Sequence, residues 1–221
     1  MKYAVLGTGT VGRAIAGRLA ELGHDVVVGT RDPEATLART EGDAPYAAWA
    51  AAHADVALAT FADAAAGADV VVHAGSGLAA LDLLALAGAD NLAGKVLVDV
   101  SNPLDFSAGF PPTLFVKDTD SLGEQVQRAF PEARVVKTLN TLTADLMVRP
   151  DQLPEASTVF VSGDDAEAKK VATAMLTEFG HIDVIDLGDI TTARGTEMLL
   201  PVWLRLMGSL GTATFNFKIV R

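Results

Sequence analysis

Within its first 23 residues the chain passes from a short apolar run, residues 3–6, through Gly7-Thr8-Gly9-Thr10-Val11-Gly12 into a helical pattern over residues 11–22. Strand, glycine turn and helix in that order constrain the fold more than any other feature of the chain. Glycines at these three positions serve a tight turn, a close approach of backbone to a ligand, and contact between helix and strand. The helix start then offers free N–H groups and a partial positive charge to an anion. Ile15, Leu19 and Leu22 share one face of the expected helix, and Gly23 stands where a C-terminal cap glycine belongs. The segment reads as a dinucleotide pyrophosphate cradle, with Thr8 and Thr10 as added hydroxyl donors, rather than as a bare turn.

The alternation continues along the chain. Strands are expected over residues 25–28, 56–59, 69–72, 95–100 and 134–139, the last preceded by a helix over residues 121–130. Val70-Val71-Val72 is apolar throughout, as in a strand buried on both faces. Such a pattern gives an α/β fold: a doubly wound (Rossmann) parallel sheet with right-handed crossovers, over residues 1–140. Alanine-rich runs at residues 47–52 and 62–66 favour closely packed helices. Residues 141–221 are expected to form a small C-terminal α/β domain holding the substrate site and a dimer contact. Its expected elements begin with a strand over 158–161 and a helix capped by Asp164 or Asp165 and running to about residue 178. A strand over 182–185 and a helix over 192–210, interrupted by Pro201, follow. A final strand over 214–220 would turn Phe215, Phe217 and Ile219 inward.

A formal net charge of −11 over 221 residues repels polyanions. Nucleic acid is therefore not an expected partner, and any phosphate site has to be local. The absence of cysteine removes disulfides, thiolate metal sites and cysteine nucleophiles. No spacing of His, Asp and Glu suggests a metal site. No apolar run reaches the roughly 20 residues of a membrane span, and no basic-then-apolar leader opens the chain. A soluble cytoplasmic protein without a membrane partner is the expectation.

The end of the second strand bears on which dinucleotide is bound. NAD-preferring sites place a carboxylate there for the ribose hydroxyls. This chain has Gly29-Thr30-Arg31. A hydroxyl followed by a guanidinium suits a 2′-phosphate, which calls for charge and paired donors, so NADP(H) is expected. Asp32 is the competing feature. Facing the ribose it would favour NAD, yet Asp32-Pro33-Glu34 also reads as a helix start with Asp32 as its cap.

Taken together, four segments resemble the NADP oxidoreductases that depend on the deazaflavin coenzyme F-420. They are the loop 7–12, Gly23-His24-Asp25-Val26-Val27-Val28-Gly29-Thr30-Arg31, Asp99-Val100-Ser101-Asn102-Pro103-Leu104 and Val136-Lys137-Thr138-Leu139-Asn140-Thr141. Ser162-Gly163-Asp164-Asp165 and the run 194–201 extend the likeness over most of the chain. The same motifs occur in the reductase domains of membrane ferric reductases. The resemblance implies hydride exchange between NADP(H) and a deazaflavin or flavin, in a homodimer with a short C-terminal domain. It places Thr8, Gly9, Thr10 and Val11 at the phosphates, and Thr30 and Arg31 at the 2′-phosphate. Ala74, Gly75 and Ser76 after the fourth strand, with Asn102 and Pro103 after the fifth, would flank the nicotinamide. Asn140 and Thr141 lie at the matching edge of the sixth. There are two departures. Ala35 and Thr36 stand where deazaflavin-linked members carry a second basic residue, and Ala74-Gly75-Ser76-Gly77 replaces a bulky proline-containing loop near the reacting rings.

Hydride transfer between two rings needs alignment rather than a catalytic triad, and no catalytic residue is assigned. An acceptor that takes up a proton would ask for a donor. His73, ending the fourth strand, is the best placed, although a packed histidine at a strand end is the simpler reading. His24 lies at the opposite edge of the sheet, and His53 and His181 are expected in solvent. Lys137, a charge inside a strand, either pairs with a carboxylate such as Asp99 or reaches the site. Phe215 and Phe217, with Trp203 and Leu206, read as core or dimer contact. Two other functions remain open on these residues: a non-catalytic NADP(H)-binding redox sensor or partner subunit, and a reductase of a small carbonyl or imine.

Overall fold

Strands as apolar as Val70-Val71-Val72 can be stable only where helices cover both faces of their sheet. That is their setting in this computed structural model, which describes residues 1–40 and 45–221. The first half of the chain forms β1 (Lys2–Leu6), α1 (Thr10–Glu21), β2 (Asp25–Thr30), α2 (Pro33–Ala38), α3 (Tyr46–Ala52), β3 (Ala57–Thr60), α4 (Phe61–Gly67) and β4 (Val70–His73). There follow α5 (Ala80–Ala87), α6 (Ala89–Leu92), β5 (Val96–Asp99), β6 (Leu104–Asp105), β7 (Thr113–Leu114), α7 (Leu122–Ala129) and β8 (Arg134–Thr138). The chain continues through α8 (Ala144–Val148), β9 (Thr158–Ser162), α9 (Ala166–Phe179), β10 (Asp183–Gly188), α10 (Ala193–Met198) and α11 (Leu200–Leu210).

Among the described residues one sheet runs β10-β9-β8-β5-β4-β1-β2-β3. Its pairings are parallel except that of β8 with β9. The strands from beyond residue 140 therefore extend the same sheet. Side chains alternate between its faces. Val5, Val70, Val72, Val98 and Val136 pack with residues of α1, α8 and α9. Ala4, Leu6, Val71, Leu97 and Val135 pack with α4, α5 and α7. Several helix starts draw on local chemistry. Asp32, Ser121 and Asp165 cap α2, α7 and α9 by accepting the N–H of the residue three positions on. Pro201 opens α11 rather than breaking a longer helix.

Some expectations need correction. Residues 214–220 form no regular strand. β9 is already flanked by β8 and β10, so the tail meets it at one residue: Thr158 N donates to the Phe217 carbonyl at 2.9 Å, and Ile219 N to Thr158 Oγ1 at 2.9 Å. Phe215 stacks on Trp203 with ring centroids 5.2 Å apart. The β6–β7 hairpin, two residues a side, is too short to leave a pattern in the sequence. His53 is half-buried and stacks on Trp49 at 4.2 Å. His181 is buried, and its Nε2 donates to the Met147 carbonyl at 2.9 Å. Among the described residues no helix is long and apolar enough to cross a membrane.

Burial pushes the His181 imidazole below its ordinary value, with the Met147 hydrogen bond acting against it. The folded protein then resists protonation while the unfolded chain accepts it, so stability is full above the unfolded value of about 6.5 and falls as pH drops below it. Chemical denaturation between pH 7.5 and 5 is expected to show that decline, with a smaller slope in His181→Gln.

Candidate cofactor site

β1 ends at Leu6 and the chain turns at Gly7, whose φ of +133° a side chain would strain. Gly7 N donates to the Gly29 carbonyl at 3.0 Å, tying the turn to the end of β2. A Cβ on Gly12 would lie 2.0 Å from the Gly7 carbonyl oxygen, so α1 can start against the turn only where no side chain intervenes. Gly9 is the opposite case: it is exposed at the start of α1, with nothing within 4 Å of where its Cβ would be. No side chain caps α1, and the N–H groups of a first helical turn have no partner within the helix. Open backbone at Gly9, free donors at residues 10–12 and the exposed Thr10 fit a diphosphate. Thr8 is half-buried beside them.

At the end of β2, Asp32 Oδ1 accepts Ala35 N at 2.9 Å and serves as the α2 cap. The Thr30 hydroxyl is buried 2.8 Å from that of Thr36, which itself donates to the Asp32 carbonyl at 2.7 Å. The carboxylate that could have favoured NAD is thus committed to the helix, and Arg31 stands exposed at this corner of the sheet.

The strand order reverses between β1 and β4, where doubly wound sheets open a crevice at the carboxyl ends of the strands. A cleft of about 270 Å³ lies there. Val11, Ala74, Gly75, Ser76 and Asn102, expected from three separate loops, line it together. Leu78, Leu104, Phe106, Leu142 and Met147 complete the wall. Apart from Leu104, which ends the segment 99–104, these apolar residues carry no motif of their own, and only the chain's path brings them to the site. Pro103 is buried at the base of the hairpin, its carbonyl accepting Phe115 N at 3.0 Å. Asn140 lies behind Asn102: Asn102 Nδ2 donates to the Asn140 carbonyl at 2.9 Å, and Asn140 Nδ2 donates to Asn102 Oδ1 at 3.2 Å and the Thr196 carbonyl at 3.0 Å. Thr141 is buried and does not line the cleft. A wider hollow of about 790 Å³ beside Arg128, Arg134 and Asp164 touches none of these loops.

Directly behind the cleft the register sets His73 beside Asp99 and Asp99 beside Lys137. All three are fully buried or nearly so. His73 Nδ1 donates to Asp99 Oδ1 at 2.9 Å, since an ionised carboxylate only accepts. Lys137 Nζ donates to Asp99 Oδ2 at 2.9 Å and the Ser101 carbonyl at 2.6 Å, and lies 3.0 Å from Glu197 Oε1. Burial alone would raise the Asp99 carboxyl. The Lys137 ammonium and the His73 hydrogen bond outweigh it and hold the group well below the usual carboxylate range. Burial would likewise lower the Lys137 ammonium, but Asp99 and then Glu197 hold it above its ordinary value. Lys137 has an acceptor for each of its three protons, and His73 is enclosed with Nδ1 on Asp99 and Nε2 without a hydrogen-bond partner among the described residues. Among the described residues no group of three or more His, Asp and Glu is arranged to hold a metal.

Glycine turn, free helix start, basic strand end and crevice at the strand reversal together define a dinucleotide-binding protein of the doubly wound class. Residues 2–103 match the family described as NADP oxidoreductase, coenzyme F420-dependent. The chain is 30% identical over 212 residues to the F420-dependent NADP reductase of Methanothermobacter thermautotrophicus, covering 93% of this chain and 89% of that one. It is 31% identical to the metalloreductase STEAP3 of Rattus norvegicus over 91% of its own length, and spans 38% of that longer protein. A crystal structure of an Arthrobacter sp. FB24 protein, provisionally assigned as an F420-dependent NADP-reductase, superposes with a TM-score of 0.98 at 64% identity over the whole of both chains. The chain belongs to the family of F420-dependent NADP oxidoreductases and is an NADP-dependent oxidoreductase. NADP(H) and coenzyme F420 are the cofactors this family implies.

Two glycines three residues apart should respond differently to the same substitution. Gly12→Ala forces a Cβ onto the Gly7 carbonyl and is expected to lower stability by about 1–3 kcal/mol in a thermal melt. Gly9→Ala has room, so its melting temperature should match the parent's while NADPH affinity, read by fluorescence titration, falls.

Proposed function

We propose that the protein transfers a hydride between NADP(H) and a deazaflavin or flavin-type acceptor, with coenzyme F420 as the favoured partner. The carrying observation is the cleft at the strand reversal, where the start of α1 and the loops after β4 and β5 meet. NADPH, when bound, supplies the hydride, and the acceptor ring takes it together with one proton from solvent. The chain's own part is to bind, align and exclude water. The α1 start and the open Gly9 backbone hold the diphosphate. Arg31 pairs with the 2′-phosphate, and Thr30 supports that corner through Thr36. Ala74, Gly75, Ser76 and Asn102 form the wall against the nicotinamide, with Pro103, Asn140 and Thr141 behind it. Leu104, Phe106, Leu142 and Met147 make the second side apolar. A planar ring stacked against such a wall is brought into contact without an acid–base group, and proximity supplies the main advantage.

The name of the 30%-identical reductase supports F420 as acceptor. The enclosure of His73 and Lys137 speaks against a carbonyl or imine reductase that uses either of them as its proton donor. Residues 141–221 are proposed as the acceptor-side and dimer-contact region of a cytoplasmic homodimer, since Val202, Leu210, Ile219 and Val220 expose apolar surface there.

Oxidation of NADPH on addition of F420, FMN or FAD, followed by absorbance, tests the reading. Turnover with F420 exceeding that with either flavin is expected. NADPH binding without turnover on any acceptor would leave a non-catalytic binding protein instead. Arg31→Ala is expected to weaken NADPH binding by about 1–3 kcal/mol with little change for NADH. Equal losses for the two nucleotides would show that Arg31 does not read the phosphate.

A further inference from the structure

The polar residues behind the cleft are arranged as part of a closed circuit. α10 reaches the site twice, through the Glu197 carboxylate and the carbonyl of Thr196. Glu197 holds the Lys137 ammonium, which in turn holds the Ser101 carbonyl and Asp99. Ser101 leads to Asn102, Asn102 is bound to Asn140, and Asn140 returns to Thr196. An ammonium has three protons, and Lys137 has one acceptor for each. Glu197 is equally engaged: Oε2 accepts Leu122 N at 2.8 Å and Oε1 accepts Gly123 N at 3.0 Å, which docks α10 onto the start of α7.

The circuit bears directly on the cleft wall. A Cβ on Gly77 would lie 1.9 Å from the Asn102 carbonyl oxygen, so the loop after β4 and the loop after β5 touch without slack. A Cβ on Gly75 would lie 3.2 Å from His73 Nε2, a buried nitrogen with no hydrogen-bond partner among the described residues, so the imidazole packs beneath the other end of the β4 loop. A shift of Ser101 and Asn102 is therefore passed to Gly75 and Gly77. Buried ion clusters of this kind contribute little net stability, because desolvation offsets attraction. What this one does supply is a fixed separation between backbone groups that line a reaction cleft.

We propose that Lys137, held by Glu197, is a positioning residue for hydride transfer: its ammonium sets where the Ser101–Asn102 and Gly75–Gly77 backbones stand relative to each other. The inference rests on the cleft being the nicotinamide site. Lys137 touches neither substrate, and its effect is on the alignment of the dihydronicotinamide rather than on nucleotide binding, which depends on the diphosphate and 2′-phosphate contacts at the other end of the cofactor.

The test is the double variant Lys137→Met/Glu197→Gln, which removes one positive and one negative charge and leaves the formal charge of the cluster unchanged. Three quantities are read: the NADPH dissociation constant by fluorescence titration, kcat with F420, and the anisotropy decay of bound NADPH fluorescence. The dissociation constant is expected to stay within about threefold of the parent's while kcat falls about 100-fold, the scale of an ångström of misalignment. The anisotropy decay should gain a fast component from a loosened ring. Unchanged kcat and anisotropy in a folded variant overturn the proposal. So does a parallel loss of kcat, nucleotide affinity and melting temperature, which is the mark of a purely structural cluster. If the double variant does not fold, Glu197→Gln alone should show the same split with a loss of about tenfold in kcat. If the parent reduces no acceptor, the functional reading fails, and nucleotide affinity together with the anisotropy decay still decides the positioning role.

Discussion

Four donors converge on the carboxylate of Asp99, and the walls of the site hang from it. His73 Nδ1, Ser101 N and Ser101 Oγ reach one oxygen, and Lys137 Nζ reaches the other. These groups belong to the ends of β4, β5 and β8 or to the loop that follows. A fully buried carboxylate is tolerated only with such partners, and losing one leaves an uncompensated group costing several kcal/mol. The partners are supplied by register. Parallel pairing places His73, Asp99 and Lys137 in one row on one face, and a slip of a single residue would send the row into the valines of the other. The same pairing that makes the core therefore aligns the loops that make the cleft.

The loop after β4 carries small residues for reasons behind it as well as in front. Gly75 has Leu83 Cδ1 2.4 Å from where a Cβ would be, and Gly77 has the Asn102 carbonyl still closer. Larger residues would displace α5 on one side and the β5 loop on the other. The small residues of this loop are thus built into the packing of this chain.

The nucleotide-binding half could be read from the chain because its chemistry is local. Gly7, Gly9 and Gly12 occupy the three backbone environments their spacing implies, and Asp32, Ser121 and Asp165 cap helices next to them in sequence. Strand positions followed from β-branched runs with errors of one to three residues at their ends. The same reading missed the β6–β7 hairpin, expected a strand at residues 214–220 and put His181 in solvent. A two-residue strand has no periodicity to detect. The edge that this last run could join depends on which strands already flank β9. The burial of His181 depends on Met147, 34 positions away.

Two kinds of information are separable here. Residues within a turn of one another in the chain determined the dinucleotide cradle, the basic end of β2 and the α/β class, because backbone sterics, capping and apolar periodicity act over a few positions. Only tertiary structure decided that the Thr30 hydroxyl is buried against Thr36, and that Leu104, Phe106, Leu142 and Met147 share a wall with Gly75. It alone decided that Lys137 answers to Glu197, sixty positions on. Charges and apolar groups separated along the chain find each other through strand order and helix packing, and that order is a property of the whole sheet rather than of any segment in it.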